Sequence, residues 1–376
     1  MVAASVTALS MSGQEATTLR EKFKDHFFIG TAFGRHLHWE QGQPTLKLID
    51  RHFNTISPTN ELKWQPFQPK PDVYNHGPAD AFVDFGKKNT MYVVGHVLFW
   101  HSQTPEWVFQ DDDGNPLSRE ALLQRMRERV HFVAERYGSR INAWDVVNES
   151  IMGNGELRDS QWTRIIGDDF IEQAFRIADE ELPKAVELIY NDYSMTGKRK
   201  RDGVVKLTVE LKRKGLRIDG VGMQGHWSVN GPSIRDIEAS IVAFSEAGVD
   251  VHITELDIDV LPRHPKMWSG NADTKLNLQQ DPRLNPYRNG LPDAIQKKLA
   301  ARYASIFGLL IKHSDKIKRV TFWGPTDKHS WLNGWPIKGR TNYPLLFDRE
   351  GQTKPAFHAV MQLPTNSNSQ KKDNSK

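Results

Sequence analysis

Residues 91–107 read MYVVGHVLFWHSQTPEW: an apolar run, Met91 to Leu98, gives way to a concentration of His96, Trp100, His101 and Gln103. A short run rich in β-branched and aromatic residues fits a strand, and unbroken hydrophobicity fits a strand covered on both faces, as in a parallel sheet. The polar and aromatic residues therefore sit at the carboxyl end of a buried strand.

Seven further runs share this layout: His26 to Phe33, Phe53 to Ser57, Ile141 to Val147, Ala185 to Tyr190, Ile218 to Met223, Val249 to Leu256 and Arg319 to Phe322. Amphipathic stretches of helical period separate them, among them Arg119 to Tyr137, Trp162 to Leu182, Val204 to Lys214, Ser233 to Ala247 and Pro292 to His313. Strands alternating with helices predict right-handed β-α-β units around a parallel sheet. Eight such units close into a single α/β barrel of the (β/α)8, or TIM-barrel, type.

The unusual residues again follow the runs. Asn60, Lys63 and Trp64 come after the second, Asn148 and Glu149 after the fourth, and Asn191 and Tyr193 after the fifth. Gln224 and His226 follow the sixth, Glu255 and Asp257 the seventh, and Trp323 the eighth. In a barrel all these carboxyl ends lie on one rim, so residues scattered along the chain converge on one cleft.

Composition limits what that cleft can do. The chain has 376 residues, with 50 Lys and Arg against 46 Asp and Glu, a net charge of +4 that is too mild to suggest nucleic acid. It has no Cys, which excludes a disulfide framework, a thiol nucleophile and a Cys-based metal site. No apolar run is long enough to span a membrane. The 11 Trp are distinctive, because Trp64, Trp100, Trp107, Trp144, Trp227, Trp323, Trp331 and Trp335 stand among polar residues. Such aromatics suit a surface that stacks on flat sugar rings, with about half of them expected to be ordinary core residues. Residues 1–18 read as a flexible N-terminal segment without an intact signal peptide, 19–363 as one catalytic domain, and the polar stretch 364–376 as a disordered tail. Leu261 to Leu291, rich in Pro, Asn, Asp and Gly, reads as a long loop over the rim after the seventh strand. The cluster Lys198 to Arg201, KRKR, reads as a solvated helix start.

Two glutamates, Glu149 in WDVVNE and Glu255 in VHITELD, interrupt apolar strand ends. A buried carboxylate is costly unless it is paired or used. A pair of carboxyl groups across a sugar cleft is the apparatus of glycoside hydrolysis, one protonating the leaving oxygen and the other attacking the anomeric carbon or activating water.

The segments GHVLFWHSQTPEW (95–107), WDVVNES (144–150), YNDY (190–193), GVGMQGHW (220–227), ITELD (253–257) and TFWGPTDKHSWL (321–332) resemble glycoside hydrolase family 10, the endo-β-1,4-xylanases. The resemblance implies retaining hydrolysis of xylan and xylo-oligosaccharides without cofactor or metal, with Glu149 as acid/base and Glu255 as nucleophile. It implies that Asn148 binds the 2-hydroxyl of the sugar under attack, and that His226, set by Asp257 and near Gln224, bonds the nucleophile. Lys63, His96 and Trp100 resemble the holders of that sugar, and Asn60, Gln103 and Trp331 those of the next unit toward the non-reducing end. Trp323 matches a stacking platform, and Tyr193 and Asn191 match leaving-group-side residues. Another β-1,4-glycanase on the same fold and a non-catalytic glycan-binding relative are the alternatives. A monomer is expected, and a polymeric substrate favours secretion or the periplasm. Two positions depart from the family pattern: Thr59 stands where Glu is usual, and Pro325 where Val is usual.

Overall fold

The computed structural model describes residues 18–34, 43–263, 276–278 and 281–365. Residues 1–17 and 366–376, expected to be flexible, lie outside this set, as do Trp39, Trp268 and the middle of the loop after the seventh strand.

The strands are β1 (Phe28–Phe33), β2 (Thr55–Pro58), β3 (Tyr92–Trp100), β4 (Ala143–Asn148), β5 (Glu187–Asp192), β6 (Gly220–Met223), β7 (His226–Ser228), β8 (Asp250–Asp259) and β9 (Ile317–Phe322). Eight of them pair in parallel in the order β1-β2-β3-β4-β5-β6-β8-β9, and β9 returns to β1, which closes a (β/α)8 barrel. Gly30 of β1 marks the closure, facing Thr55 of β2 on one side and Thr321 of β9 on the other. The short β7 pairs with β8, His226 opposite Asp257, and extends the rim where β6 has already ended.

Several strands run further at their carboxyl ends than hydrophobicity suggests: β3 continues to Trp100, β4 to Asn148, β5 to Asp192 and β8 to Asp259. The polar residues taken as the edge of each run are themselves in the ladder. Strand alternation then places Glu255 and Asp257 on the same face of β8, two residues apart.

The helices follow their local signals. Arg119–Tyr137 begins where the Ser118 side chain accepts the Ala121 N–H and ends at Gly138, whose φ of 48° suits a left-handed terminus. The stretch Trp162 to Leu182, expected to be continuous, is two helices, Gln161–Ile166 and Phe170–Glu181. Gly167, at φ 103°, breaks it. The helix expected from Val204 begins at Lys198, so KRKR forms its first turn. That cluster is not wholly solvated: Lys200 is 1% exposed and pairs with Asp192 at 2.6 Å.

A continuous core joins the barrel to its helices through wholly buried side chains such as Phe82, Phe99, Trp144, Trp162 and Tyr303. Each large apolar side chain removed from water contributes roughly 1.5–3 kcal/mol. Trp144 needs a gap on the neighbouring strand, which Gly95 provides, since a Cβ there would lie 2.3 Å from the indole. Among the described residues no helix is long and apolar enough to cross a membrane.

Candidate active site

Thirteen residues singled out from the sequence line one cavity of about 390 Å³ at the rim: Asn60, Lys63, His96, Trp100, Gln103, Asn148, Glu149, Tyr193, Gln224, His226, Glu255, Trp323 and Trp331. Thr59, His329 and Trp335 complete the lining.

Glu149 stands one residue beyond β4 with φ 59°, a left-handed conformation that costs an L-residue about 1–3 kcal/mol. Its N–H donates to the Asn191 carbonyl at 2.9 Å and its carbonyl accepts from Arg158 Nε at 2.7 Å, which holds the turn. The carboxylate accepts from Trp100 Nε1 at 3.0 Å and from Gln224 Nε2 at 2.8 Å. Burial raises its pKa, and the nearby charges of Asp192 and Glu255 raise it further against those two donors. Asp192 is itself wholly buried, held by Lys200 at 2.6 Å and by the Tyr190 hydroxyl at 2.6 Å.

Glu255 is equally buried, yet its environment acts in the opposite sense. Burial is the largest influence and raises its pKa, but His226, the charge of His96 and the Asn191 amide outweigh it, so the carboxyl lies below its ordinary range. Oε2 meets His226 Nε2 at 3.1 Å, and Oε1 accepts from Asn191 Nδ2 at 2.9 Å. His226 Nδ1 lies 3.0 Å from Asp257 Oδ2, an oxygen that also accepts from Trp331 Nε1 at 2.7 Å. Burial disfavours the imidazolium, but Asp257 and Glu255 prevail and lift the His226 pKa to about 10. The ring is then a cation that donates from both nitrogens.

An amide relay links the two carboxylates. Asn148 Oδ1 accepts from Asn191 Nδ2 at 3.0 Å and from Gln224 Nε2 at 3.4 Å, and the same two amides reach Glu255 and Glu149. Thr254 Oγ1 orients Asn191 by donating to its Oδ1 at 2.6 Å. Gly222 makes room for this group, because a Cβ there would lie 2.5 Å from Asn191 Oδ1.

Polar groups and aromatic faces surround the pair. Lys63 Nζ donates to Gln103 Oε1 at 2.9 Å and to Asn60 Oδ1 at 3.1 Å, and lies 4.9 Å from the Trp100 ring centre. His96 Nδ1 is 2.9 Å from Asp145 Oδ2, and its ring meets Trp323 edge-on at 5.6 Å. Trp331 stacks on Trp335 at 4.5 Å, and Tyr193 OH accepts from Arg158 Nη2 at 2.9 Å. Buried indoles, amides and paired cations form a site for a neutral polyhydroxylated ligand.

Comparison with known proteins agrees with this chemistry. The model of glycosyl hydrolase family 10 matches residues 18–363. The chain belongs to glycosyl hydrolase family 10. It is 45% identical over 350 residues to endo-1,4-beta-xylanase A of Xylanibacter ruminicola, covering 93% of this chain and 94% of that one. It is 38% identical over 354 residues to an endo-1,4-beta-xylanase of Geobacillus stearothermophilus, covering 92% and 98% of the two. Among solved structures, a family 10 endoxylanase retrieved from a sugarcane soil metagenome superposes with a TM-score of 0.86 at 45% identity, covering 92% of this chain and 99% of that one.

Within the family 10 barrel, two of the expected site residues lie behind the cleft wall. Asn191 is 0% exposed and does not line the cavity, and its amide contacts Glu255 and Asn148. Asp257, 1% exposed, reaches the site through His226 and Trp331. Four of the eight Trp in polar stretches, Trp100, Trp323, Trp331 and Trp335, line the cleft. Trp64, Trp144 and Trp227 are buried in the core and Trp107 packs against it. Trp162, buried in the core, also donates from Nε1 to the Trp100 carbonyl at 3.0 Å and fixes the end of β3 that carries that ring.

His329 and Trp335 were not assigned to the site from the sequence. Trp335 carried the signal of a Trp in a polar stretch, and His329 lies in the family segment TFWGPTDKHSWL. Asp192 and Lys200 offered less, since only the fold reveals that they meet.

Proposed function

We propose that the protein is an endo-1,4-β-xylanase that hydrolyses internal linkages of xylan and xylo-oligosaccharides with retention at the anomeric carbon. The reading is carried by the opposite electrostatic settings of two buried carboxyl groups in one cleft, Glu149 pushed up and Glu255 pushed down. Glu255 is suited to attack the anomeric carbon as a carboxylate. Glu149 is suited to give its proton to the departing glycosidic oxygen. The C–O bond to the leaving sugar breaks as the Glu255–carbon bond forms. Glu149, now ionised, takes a proton from water, whose oxygen attacks the same carbon and frees Glu255.

The surrounding groups support this division. Protonated His226 offers Glu255 a hydrogen bond without removing its charge, and Asp257 and Trp331 hold that ring in place. The Asn148 contacts use Oδ1, so its amide N–H groups are available to a 2-hydroxyl, a bond that tightens as positive charge grows on the ring. Lys63, His96, Trp100, Asn60, Gln103 and Trp331 all line the cavity, which supports the family resemblance in giving the first three to the sugar at the cleavage point and the others to the next one. Tyr193, which lines the same cavity, takes the leaving-group side on the family resemblance.

One chain supplies the whole cleft, which is consistent with a monomer. Polymeric xylan does not cross a membrane, so work on the polymer places the enzyme outside the cytoplasm. Two measurements test the reading. Reducing-sugar release from xylan is expected to exceed release from soluble cellulose, and equal rates would replace the xylanase reading with a general β-glycanase. Proton NMR of the first product from a xylo-oligosaccharide is expected to show the β anomer, and an initial α anomer would refute double displacement.

A further inference from the structure

A second cavity, of about 630 Å³, opens on the flank of the barrel beside the substrate cleft. It lies between the helix Gln43–His52 and the segments 326–329 and 347–357, and His329 lines both it and the cleft. Its size falls within the ~300–1,000 Å³ typical of small-molecule sites. Four cationic side chains, Lys47, Arg51, Lys328 and Arg349, line it against one described carboxylate, Glu350.

Elsewhere many basic side chains are paired with carboxylates, as with Arg119 and Asp169 or Arg127 and Glu181. Among the described residues, the side chains of Lys47, Arg51 and Lys328 form no ion pair or hydrogen bond. Arg349 donates from Nη2 to Asn333 Oδ1 at 2.8 Å, but its buried Nε has no partner. His52 lines the same cavity, edge-on to Phe347 at 4.9 Å, with a buried Nδ1 that also lacks a partner. Burial and the Arg51 charge push the His52 pKa down to about 4, so the ring is neutral and the field at the cavity comes from the other four.

A neutral xylan backbone has no use for unpaired cations. Like charges held together repel one another, and an anion placed among them relieves that repulsion. The junction at His329 joins the cavity to the cleft wall carrying Trp331 and Trp335. We propose that this flank cavity receives the carboxylate of a uronic-acid branch carried by a xylose on the non-reducing side of the cleavage point. The proposal rests on the xylanase reading and deepens it, because it names acidic, branched xylan as a preferred substrate.

The test compares two xylo-oligosaccharides of equal length, one bearing a single glucuronic acid branch and the other the same branch with its carboxyl reduced to an alcohol. The expected kcat/KM favours the acid by about three- to tenfold at low ionic strength, and the preference shrinks as salt rises. Mass spectrometry is expected to find the branch on the non-reducing-side product. The triple variant Lys47→Ala, Arg51→Ala, Lys328→Ala is expected to equalise the two substrates while leaving linear xylohexaose unaffected.

Equal rates in the wild type, or a preference that survives the triple variant, would overturn the proposal. A thermal shift with free glucuronate or inorganic phosphate that the triple variant abolishes, without any preference between the branched substrates, would also overturn it by assigning the cavity to a free anion. Failure to cleave linear xylohexaose would instead defeat the xylanase reading. Calorimetric binding of the same two branched oligosaccharides would then decide the cavity by itself.

Discussion

Glu149 and Glu255 begin from the same disadvantage: both are buried carboxyl groups at the carboxyl ends of barrel strands, and burial alone raises both pKa values. What separates them is the charge of their neighbours. Glu255 faces the His226 cation, whereas Glu149 has the buried carboxylate of Asp192 behind it and neutral donors, Trp100 and Gln224, in front. On the proposed mechanism, proton donor and nucleophile are therefore distinguished by the charges beside each glutamate.

The largest test of this asymmetry removes each carboxyl in turn. Glu255→Ala is expected to lower kcat by ~10^4-fold or more on every substrate, since no other group can form the covalent bond. Glu149→Ala is expected to lose about 10^2–10^4-fold on xylan but much less in bond cleavage with an aryl xyloside whose leaving group needs no proton. Pre-steady-state release of the aryl group separates the two. If both variants responded equally to leaving-group acidity, the assigned roles would fall.

The next test removes the cation. His226→Asn keeps a neutral donor beside Glu255, and the expected loss is on the order of 10^2 in kcat/KM. Without the imidazolium the Glu255 pKa rises, so the acid limb of the pH–rate profile moves to higher pH. An unmoved acid limb would mean that the His226 charge does not set it. Stability offers a separate readout. The His226 pKa is lifted from 6.5 to about 10 in the folded protein, so its stabilisation is complete below pH 6.5 and fades as pH rises through about 10. Unfolding temperature is expected to fall more steeply across that window in the wild type than in His226→Asn.

Behind the other glutamate, Asp192→Asn would remove a negative charge and leave Lys200 buried without its carboxylate partner, so the double variant Asp192→Asn, Lys200→Met is the cleaner probe. If the Asp192 charge governs the acid, the Glu149 pKa falls and the alkaline limb moves to lower pH, with about a tenfold activity loss for each unit of displacement on that limb. A lower rate with an unmoved alkaline limb would assign Asp192 a purely structural role.

These two backgrounds differed in how far they could be read from the sequence. Glu149 and Glu255 were legible because a charged residue in an apolar strand end is costly, and the repeated strand-helix period placed both on one rim. The helix Arg119–Tyr137 was equally legible, since Ser118 and Gly138 mark its ends locally. Asp192 and Lys200 were not, because their pairing joins β5 to the first turn of the next helix, and a cluster such as KRKR looks solvated from its own composition. Asn191 matched a leaving-group-side residue by the family resemblance, whereas its burial within β5 and its contact with Glu255 are visible only in the fold. The glycine gap at Gly222 that admits it belongs to a different strand. Local patterns revealed the rim, whereas the groups behind it depend on side chains meeting across strands.

The smallest expected effect lies at the far end of the cleft, where Thr59 lines the cavity beside Asn60. The family 10 pattern that the segment SPTNELKW resembles has Glu at that position. The neighbouring Glu61 does not replace it, because its side chain is buried and accepts the Asn60 N–H at 3.0 Å. If this position serves the second sugar on the non-reducing side, as the family resemblance implies, that subsite lacks one charged acceptor, and a hydrogen bond to a charged group contributes roughly 1.5–3 kcal/mol when fully formed. At the partly exposed Thr59, solvent reduces that figure, so Thr59→Glu is expected to raise kcat/KM on xylotriose by about three- to tenfold. Xylohexaose, which can draw on contacts further along the cleft, should gain less, and the efficiency ratio of the two substrates should narrow. An unchanged ratio would mean that Thr59 does not limit the subsite. Glu149 and Glu255 provide the control: the pH limbs they set should stay in place, because a gain in distant ground-state binding leaves their charged neighbours untouched.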